Sequence, residues 1–134
     1  MRRRQPALTD FLFFWLLTPG FCLLLFEMFD LSTIKWHATR HEGVFIHVLR
    51  RDDETKDATV FIRMQPGCGY PAHRHVGVEE VLILQGGYRD ERGEHRAGDY
   101  IINPAGSTHH PLALQGTDDC IMLAVAHGGI ERQG

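Results

Sequence analysis

The sequence predicts an all-β fold, a small barrel or sandwich of the jelly-roll kind. Short apolar runs rich in β-branched and aromatic residues recur from Gly43 onward, as strands require. Turn-forming Gly, Pro, Asn or Asp residues bound each run. No segment beyond residue 43 has the 3.6-residue apolar period of a helix. Short strands joined by short turns are typical of antiparallel barrels and sandwiches.

Five apolar runs are predicted to be strands. They are VFIHVL at 44–49, ATVFIRM at 58–64, EVLILQ at 80–85, DYIIN at 99–103 and CIMLAVA at 120–126. The turn signals between and after them are Pro66-Gly67, Gly86-Gly87, DERGE at 90–94, Pro104-Ala105-Gly106 and Gly128-Gly129. Because the chain has 134 residues and no internal repeat, we expect one domain with one binding site.

The first 35 residues differ from the rest, so we divide the chain into an apolar extension, 1–35, and a barrel domain, 36–130. Positions 11–26 carry no charge and follow an arginine-rich start, which resembles a signal peptide or a short membrane anchor. Sixteen residues are fewer than a membrane span needs, and Pro19-Gly20 interrupts the run. We favour a third interpretation, in which translation starts at Met28 and residues 1–27 are a misassigned upstream extension.

Composition narrows the classes of partner. The formal net charge is −3, and no basic run follows Arg2-Arg3-Arg4, which argues against a nucleic-acid surface. Partners should be small molecules or proteins, and a membrane would be reached only through residues 11–26. Three widely spaced cysteines form no disulfide framework, which indicates a reducing compartment. We therefore expect a cytoplasmic protein, membrane-anchored or exported only if residues 1–27 are genuine.

Three candidate metal ligands stand together where the third predicted strand begins. Side chains in a strand alternate between its two faces, so residues two or four apart share one face. His73, His75 and Glu79 meet that condition, and Val81 and Ile83 continue the same side. The pattern places polar ligands at the mouth of a barrel and apolar side chains deeper inside.

Glu80 is the rival carboxylate. Alternation turns it to the outer face unless a bulge at Gly77 shifts the register. The spacing therefore favours Glu79.

Two motifs around these residues resemble those of the cupin family. The first cupin motif is matched at every spacing by Gly67-x5-His73-x-His75-x3-Glu79-x6-Gly86. The second is matched, after an 11-residue gap, by Gly98-x5-Pro104-x-Gly106-x2-His109. Residues 36–128 further resemble the cupin domain of the ChrR anti-sigma factors and their stand-alone relatives. The chain departs from the second motif at Ala113, where the family often has Asn.

The resemblance implies a cupin-type β-barrel whose metal is held by His73, His75, Glu79 and His109. Three imidazoles and one carboxylate suit Fe, Mn, Ni, Cu or Zn better than Ca or Mg. We expect Fe(II), with Zn, Mn or Ni as alternatives, in a six-coordinate site beside a pocket lined by Val81, Ile83 and Met122. We interpret five of the six other histidines as exposed or satisfied residues: His37, His41, His47, His95 and His127.

The resemblance leaves two classes of function open. Stand-alone cupins of this type resemble Fe(II) dioxygenases that cleave small diketones or hydroxyketones. The alternative is a zinc-binding regulatory or sensor module like the ChrR cupin. The chain lacks the His-x3-Cys-x2-Cys arrangement of the zinc-binding domain that precedes that cupin, so we expect it not to be a complete anti-sigma factor. Family resemblance also implies a homo-oligomer, with a dimer expected.

Overall fold

The computed structural model describes residues 30–116 and 118–132. The predicted apolar extension therefore lies almost entirely outside the described residues. A single 3₁₀ turn, Leu31–Thr33, follows Asp30, whose carboxylate accepts a hydrogen bond from the Ser32 N–H. From Lys35 onward the chain forms one compact unit. Among the described residues, no helix has the length and apolar character needed to cross a membrane.

Nearly all of the regular secondary structure in the described chain is strand, which confirms the all-β prediction. The twelve strands are β1 (His37–Ala38), β2 (Val44–Arg51), β3 (Ala58–Met64), β4 (His73–His75), β5 (Glu79–Gln85), β6 (Gly87–Asp90), β7 (Gly93–Arg96), β8 (Tyr100–Asn103), β9 (Thr108–His109), β10 (Leu112–Ala113), β11 (Cys120–Ala126) and β12 (Ile130–Arg132).

The strands form three antiparallel sheets. The largest has six strands in the order β1-β2-β3-β11-β5-β8, and it contains all five strands predicted from the sequence. Two three-stranded sheets, β10-β6-β7 and β12-β4-β9, complete the fold. The smallest strands are two or three residues long. They are too short to show an apolar pattern, which explains why the sequence did not predict them.

Alternation along β5 and β11 builds the core. Val81 and Ile83 face inward and pair in register with Ala124 and Met122 of β11. All four side chains are buried, and each contributes roughly 1–3 kcal/mol of transfer free energy according to its size. Cys120 is fully buried beside them, and burial raises the pKa of its thiol to about 12, so it acts as a small apolar residue.

The motif glycines occupy turns that other residues adopt only at a cost. Gly67, Gly86, Gly98 and Gly106 all have positive φ angles between 63° and 96°. Gly86 is also crowded, because a Cβ there would lie 2.7 Å from the backbone oxygen of Asp119. Its conformation and the close approach of backbone both require glycine.

We therefore predict that Gly86→Ala lowers the free energy of unfolding by about 2–4 kcal/mol, because backbone strain and a clash add together. Gly116→Ala is the matched control, since Gly116 has a φ of 69° but no atom within 4 Å of an added Cβ. It should cost only about 1 kcal/mol. If urea unfolding shows the same loss of unfolding free energy in both variants, the packing argument is contradicted.

Candidate metal centre

The candidate ligands come from three strands that meet at one end of the barrel. His73 and His75 alternate along β4 with both side chains buried, while Arg74 between them is exposed. β9 pairs with β4 so that His109 lies directly opposite His73. Glu79 begins β5 and is also buried. Strand pairing thus brings His109 to the His-x-His pair, although it lies 36 positions after His73 in the chain.

The three histidines form a tight buried cluster. One ring nitrogen from each lies within 4.8 Å of the others, a spacing suited to one metal ion. The Nε2 atoms of His73 and His109 are 3.1 Å apart. The centroids of the three rings are separated by 4.6 to 4.9 Å.

Hydrogen bonds fix which nitrogens of two rings carry protons. The Nδ1 atom of His73 lies 2.9 Å from the backbone oxygen of Pro71, which can only accept, so Nδ1–H donates. The Nδ1 atom of His109 likewise lies 3.1 Å from Asp90 Oδ2. Burial lowers the pKa of both rings and so favours their neutral forms. Both Nε2 atoms then present lone pairs to each other, which fits a cation held between them.

His75 completes the cluster with no hydrogen-bond partner of its own. Both of its ring nitrogens are buried and unpartnered within the described chain. Burial, aided by the nearby rings of His109 and His73, lowers the pKa of His75 to about 4. Leaving a buried polar ring without a partner is costly, and coordination of a metal would satisfy it. The donor set therefore fits a divalent transition metal.

Glu79 stands beside the cluster. Its Oε2 lies 3.6 Å from His75 Nε2 and accepts a 2.8 Å hydrogen bond from Asn103 Nδ2. Burial raises the pKa of Glu79, although the hydrogen bond from Asn103 opposes the shift. Glu80 faces outward, where the Tyr100 hydroxyl donates to it. The preference for Glu79 over Glu80 agrees with this orientation, and the assignment of Glu79 and the three histidines as ligands stays a prediction.

Asp90 is a site residue that sequence reasoning missed, because it stood in a segment interpreted only as a turn. Its side chain is fully buried and accepts hydrogen bonds from His109, His95 and Arg92 at 3.1 Å each. Burial opposes its ionisation, but these bonds and one from the Arg92 backbone lower the pKa of Asp90 to about 2. Asp90 is therefore an anion that orients the His109 ring from behind. His95 is satisfied, as expected, by this same carboxylate.

Arg92 extends the network to the other side of the cluster. Its guanidinium also donates to Asn103 Oδ1, and Asn103 donates to Glu79. The spacing that predicts Glu79 contains no information on Asn103, which reaches Glu79 only through the register of β5 with β8.

A pocket of about 410 Å³ adjoins the cluster and is lined mainly by apolar side chains. Val81 and Met122 line it as predicted, but Ile83 does not. Ile83 lies two residues further along β5 and is packed in the core instead. His41 also lines the pocket with its Nε2 buried and unpartnered, so it is not the exposed or satisfied residue expected from the sequence.

We predict that Asp90→Asn lowers metal affinity about 10–100-fold, because the amide cannot hold the Nδ1 proton of His109 as an anion does. Competition with a chromogenic chelator would measure the change. Glu94→Gln is the control, since Glu94 is exposed and pairs with Arg96 and not with the cluster. Equal affinities for the Asp90 variant and wild type would contradict this role.

The metal-free protein should lose stability as the pH falls from about 6.5 to about 4. In that range unfolded His75 binds a proton that the folded ring excludes, so protonation favours the unfolded state. Above about 6.5 the contribution of His75 is constant. Urea unfolding at several pH values measures the slope of the unfolding free energy against pH, and His75→Gln should reduce that slope. A slope unchanged by His75→Gln would refute the argument.

A family model described as the ChrR cupin-like domain matches residues 26–131. The anti-sigma-E factor ChrR of Cereibacter sphaeroides is 45% identical over 58 residues, which are 43% of this chain and 27% of that protein. The structure of Rhodobacter sphaeroides SigE in complex with the anti-sigma ChrR matches with a TM-score of 0.63 and 33% identity, covering 72% of this chain and 50% of that one.

A more distant match is an acetylacetone dioxygenase from Acinetobacter johnsonii, with a TM-score of 0.66 and 15% identity over 79% of this chain and 75% of that one. That likeness shows the shared fold alone. The chain spans half or less of the length of the ChrR proteins it matches. The family match nevertheless covers most of the sequence and contains both histidine motifs. The chain therefore belongs to the ChrR cupin-like domain family.

Proposed function

We propose that this cupin binds a divalent metal, with Fe(II) favoured, and acts as a dioxygenase-like enzyme on a small diketone or hydroxyketone. The observation that carries the proposal is the apolar pocket that adjoins the histidine cluster. A site with only a structural role needs no such pocket, whereas small-molecule sites are typically clefts of about 300–1,000 Å³.

His73, His75 and His109, with Glu79, would hold the metal. When bound, it supplies a Lewis acid and, if it is iron, a redox centre. Asp90 and the Pro71 carbonyl keep protons on the Nδ1 atoms of two rings, so that the Nε2 lone pairs face the site.

Tyr88 supplies a hydrogen-bond donor to the same pocket. Its hydroxyl is buried and has no partner within the described chain. Burial, reinforced by the charge of Asp90, raises the pKa of the Tyr88 phenol, so it stays protonated and able to donate. A carbonyl oxygen of a ligand would satisfy it. Apolar side chains such as Val81 and Met122 would keep water from the bound molecule.

A regulatory or sensor role is the second candidate. It is supported by the 33% identity to the ChrR chain in the SigE complex, which is well above the 15% identity to the dioxygenase. On this hypothesis the metal is zinc, the pocket binds a signal, and the partner is a protein of the sigma-factor kind. The pocket supports both candidates, so metal identity and oxygen consumption must separate them.

We predict that protein purified without added ions carries about one metal per chain, and that the Fe(II) form consumes oxygen with pentane-2,4-dione or a related hydroxyketone. Metal analysis and an oxygen electrode measure these outcomes. Glu79→Ala should keep the fold and weaken metal binding, because one ligand is lost while the apolar core is intact. Glu80→Ala, an outward-facing neighbour, is the matched control and should leave metal affinity unchanged.

Two results would count against the enzyme. If the purified protein carries only zinc, and if no diketone or hydroxyketone supports oxygen uptake in the Fe(II) form, the sensor role replaces it. Equal metal affinities for Glu79→Ala and Glu80→Ala would remove Glu79 from the ligand set without affecting the three histidines.

A further inference from the structure

Three cationic side chains surround the pocket that leads to the histidine cluster. Arg40 follows β1, Lys56 lies in the loop between β2 and β3, and Arg132 ends β12. All three are exposed and line the pocket, whose other walls are mainly apolar. The chain as a whole has 17 Asp and Glu against 14 Lys and Arg, so a purely cationic rim departs from its overall charge.

Within the described part of the chain, no acidic side chain pairs with the cations of this rim. Arg40, Lys56 and Arg132 form no ion pair with any residue that the structure describes. Among the described residues, Glu79 is the one carboxylate that lines the pocket, and it stands beside the histidines. Asp57 neighbours Lys56 in sequence, but it accepts a hydrogen bond from the Gly128 N–H. The pocket therefore has cations at its exposed edge and one acidic residue at the cluster.

The backbone of Lys56 is strained. Lys56 has a φ of 63°, and it is the sole residue other than glycine with a positive φ in the described chain. Such a conformation costs a side chain other than glycine about 1 kcal/mol, and Gly or Asn would adopt it more readily. A long cation held there at that cost points to a role for its charge at the pocket edge.

His41 adds a polar group between the rim and the cluster. Its ring lies edge-on to Tyr70 with centroids 4.9 Å apart, and Tyr70 in turn contacts His73 at 5.3 Å. The buried Nε2 of His41 has no partner in the described chain, although it lines the pocket. A ligand oxygen would satisfy this nitrogen as well as the Tyr88 hydroxyl.

We infer that the pocket selects a small molecule with an anionic group at one end and an oxygen-bearing, metal-binding group at the other, joined by an apolar segment. The inference rests on the proposed function, because it names the substrate class of the same site. The anionic group, a carboxylate or a phosphate, lies among Arg40, Lys56 and Arg132. The apolar segment contacts the barrel wall, and the oxygens of the far end reach the histidine cluster. A neutral diketone has no negative charge to pair with these three cations.

The test compares 4,6-dioxoheptanoate with its methyl ester, which lacks the negative charge and carries one additional methyl group. Calorimetry on the metal-loaded full chain should give a dissociation constant about tenfold lower for the acid, since exposed ion pairs each contribute modestly. The preference should shrink as salt rises. The double variant Arg40→Gln with Arg132→Gln should lose most of it while the ester binds as before. Arg96→Gln, whose side chain pairs with Glu94 and does not line this pocket, is the control.

Lys56→Gly separates binding from folding. It removes one rim charge and relieves the strained φ, so the melting temperature should change little while the preference for the acid falls severalfold. A diketone that carries a phosphate monoester in place of the carboxylate tests the second anionic group. Binding of the phosphate probe alone would assign the rim to phosphates.

Equal affinity of wild type for the acid and the ester would overturn the inference while leaving a diketone function intact. If neither probe binds, the diketone function fails, and octanoate against octanamide then tests the rim by itself. A preference for octanoate that the double variant loses upholds the cationic rim. Absence of that preference overturns it.

Discussion

The structure depends on two buried imidazole nitrogens that face each other. The Nε2 atoms of His73 and His109 are 3.1 Å apart, and each ring already donates its Nδ1 proton elsewhere. Two lone pairs at that distance repel, so the arrangement is favourable only with a cation in contact with both. The unpartnered ring of His75 adds a third donor. Metal binding and the stability of this end of the barrel are therefore coupled.

The surrounding strands hold the cluster from behind. Hydrogen bonds run without a break from Glu79 through Asn103, Arg92 and Asp90 to His109. This chain of contacts joins β5, β8, β6 and β9, so four strands fix the positions of two candidate ligands. Buried polar networks are stable when each member is satisfied, and here one anion, Asp90, accepts from three side chains. The network gives the site a rigid outer layer.

Local sequence patterns were sufficient to predict five strands of the large sheet and the side of β5 that faces inward. Runs such as ATVFIRM and CIMLAVA coincide with β3 and β11 residue for residue, because both are apolar stretches that contain β-branched residues. Asp90 and Asn103 were missed because their roles depend on the register between strands, which sequence spacing does not contain. Ile83 was wrongly placed in the pocket. The alternation of side chains predicts which face of the strand a residue occupies, but not how far along the barrel it lies. His41 was misjudged because the placement of its ring beside Tyr70 depends on a contact between residues distant in the chain.

The ligand set alone does not distinguish the two functions, because three histidines and a carboxylate suit both catalytic and regulatory metal sites. The rest of the pocket is compatible with both functions as well. A signal-binding module and an enzyme would both use Tyr88 and the cationic rim to orient a ligand, so the rim bears on specificity in either case. Orientation by groups at both ends restricts the bound molecule to one position relative to the histidines. The charges of the cationic rim thereby determine which molecule binds beside the histidines, and the metal determines the chemistry available to that molecule.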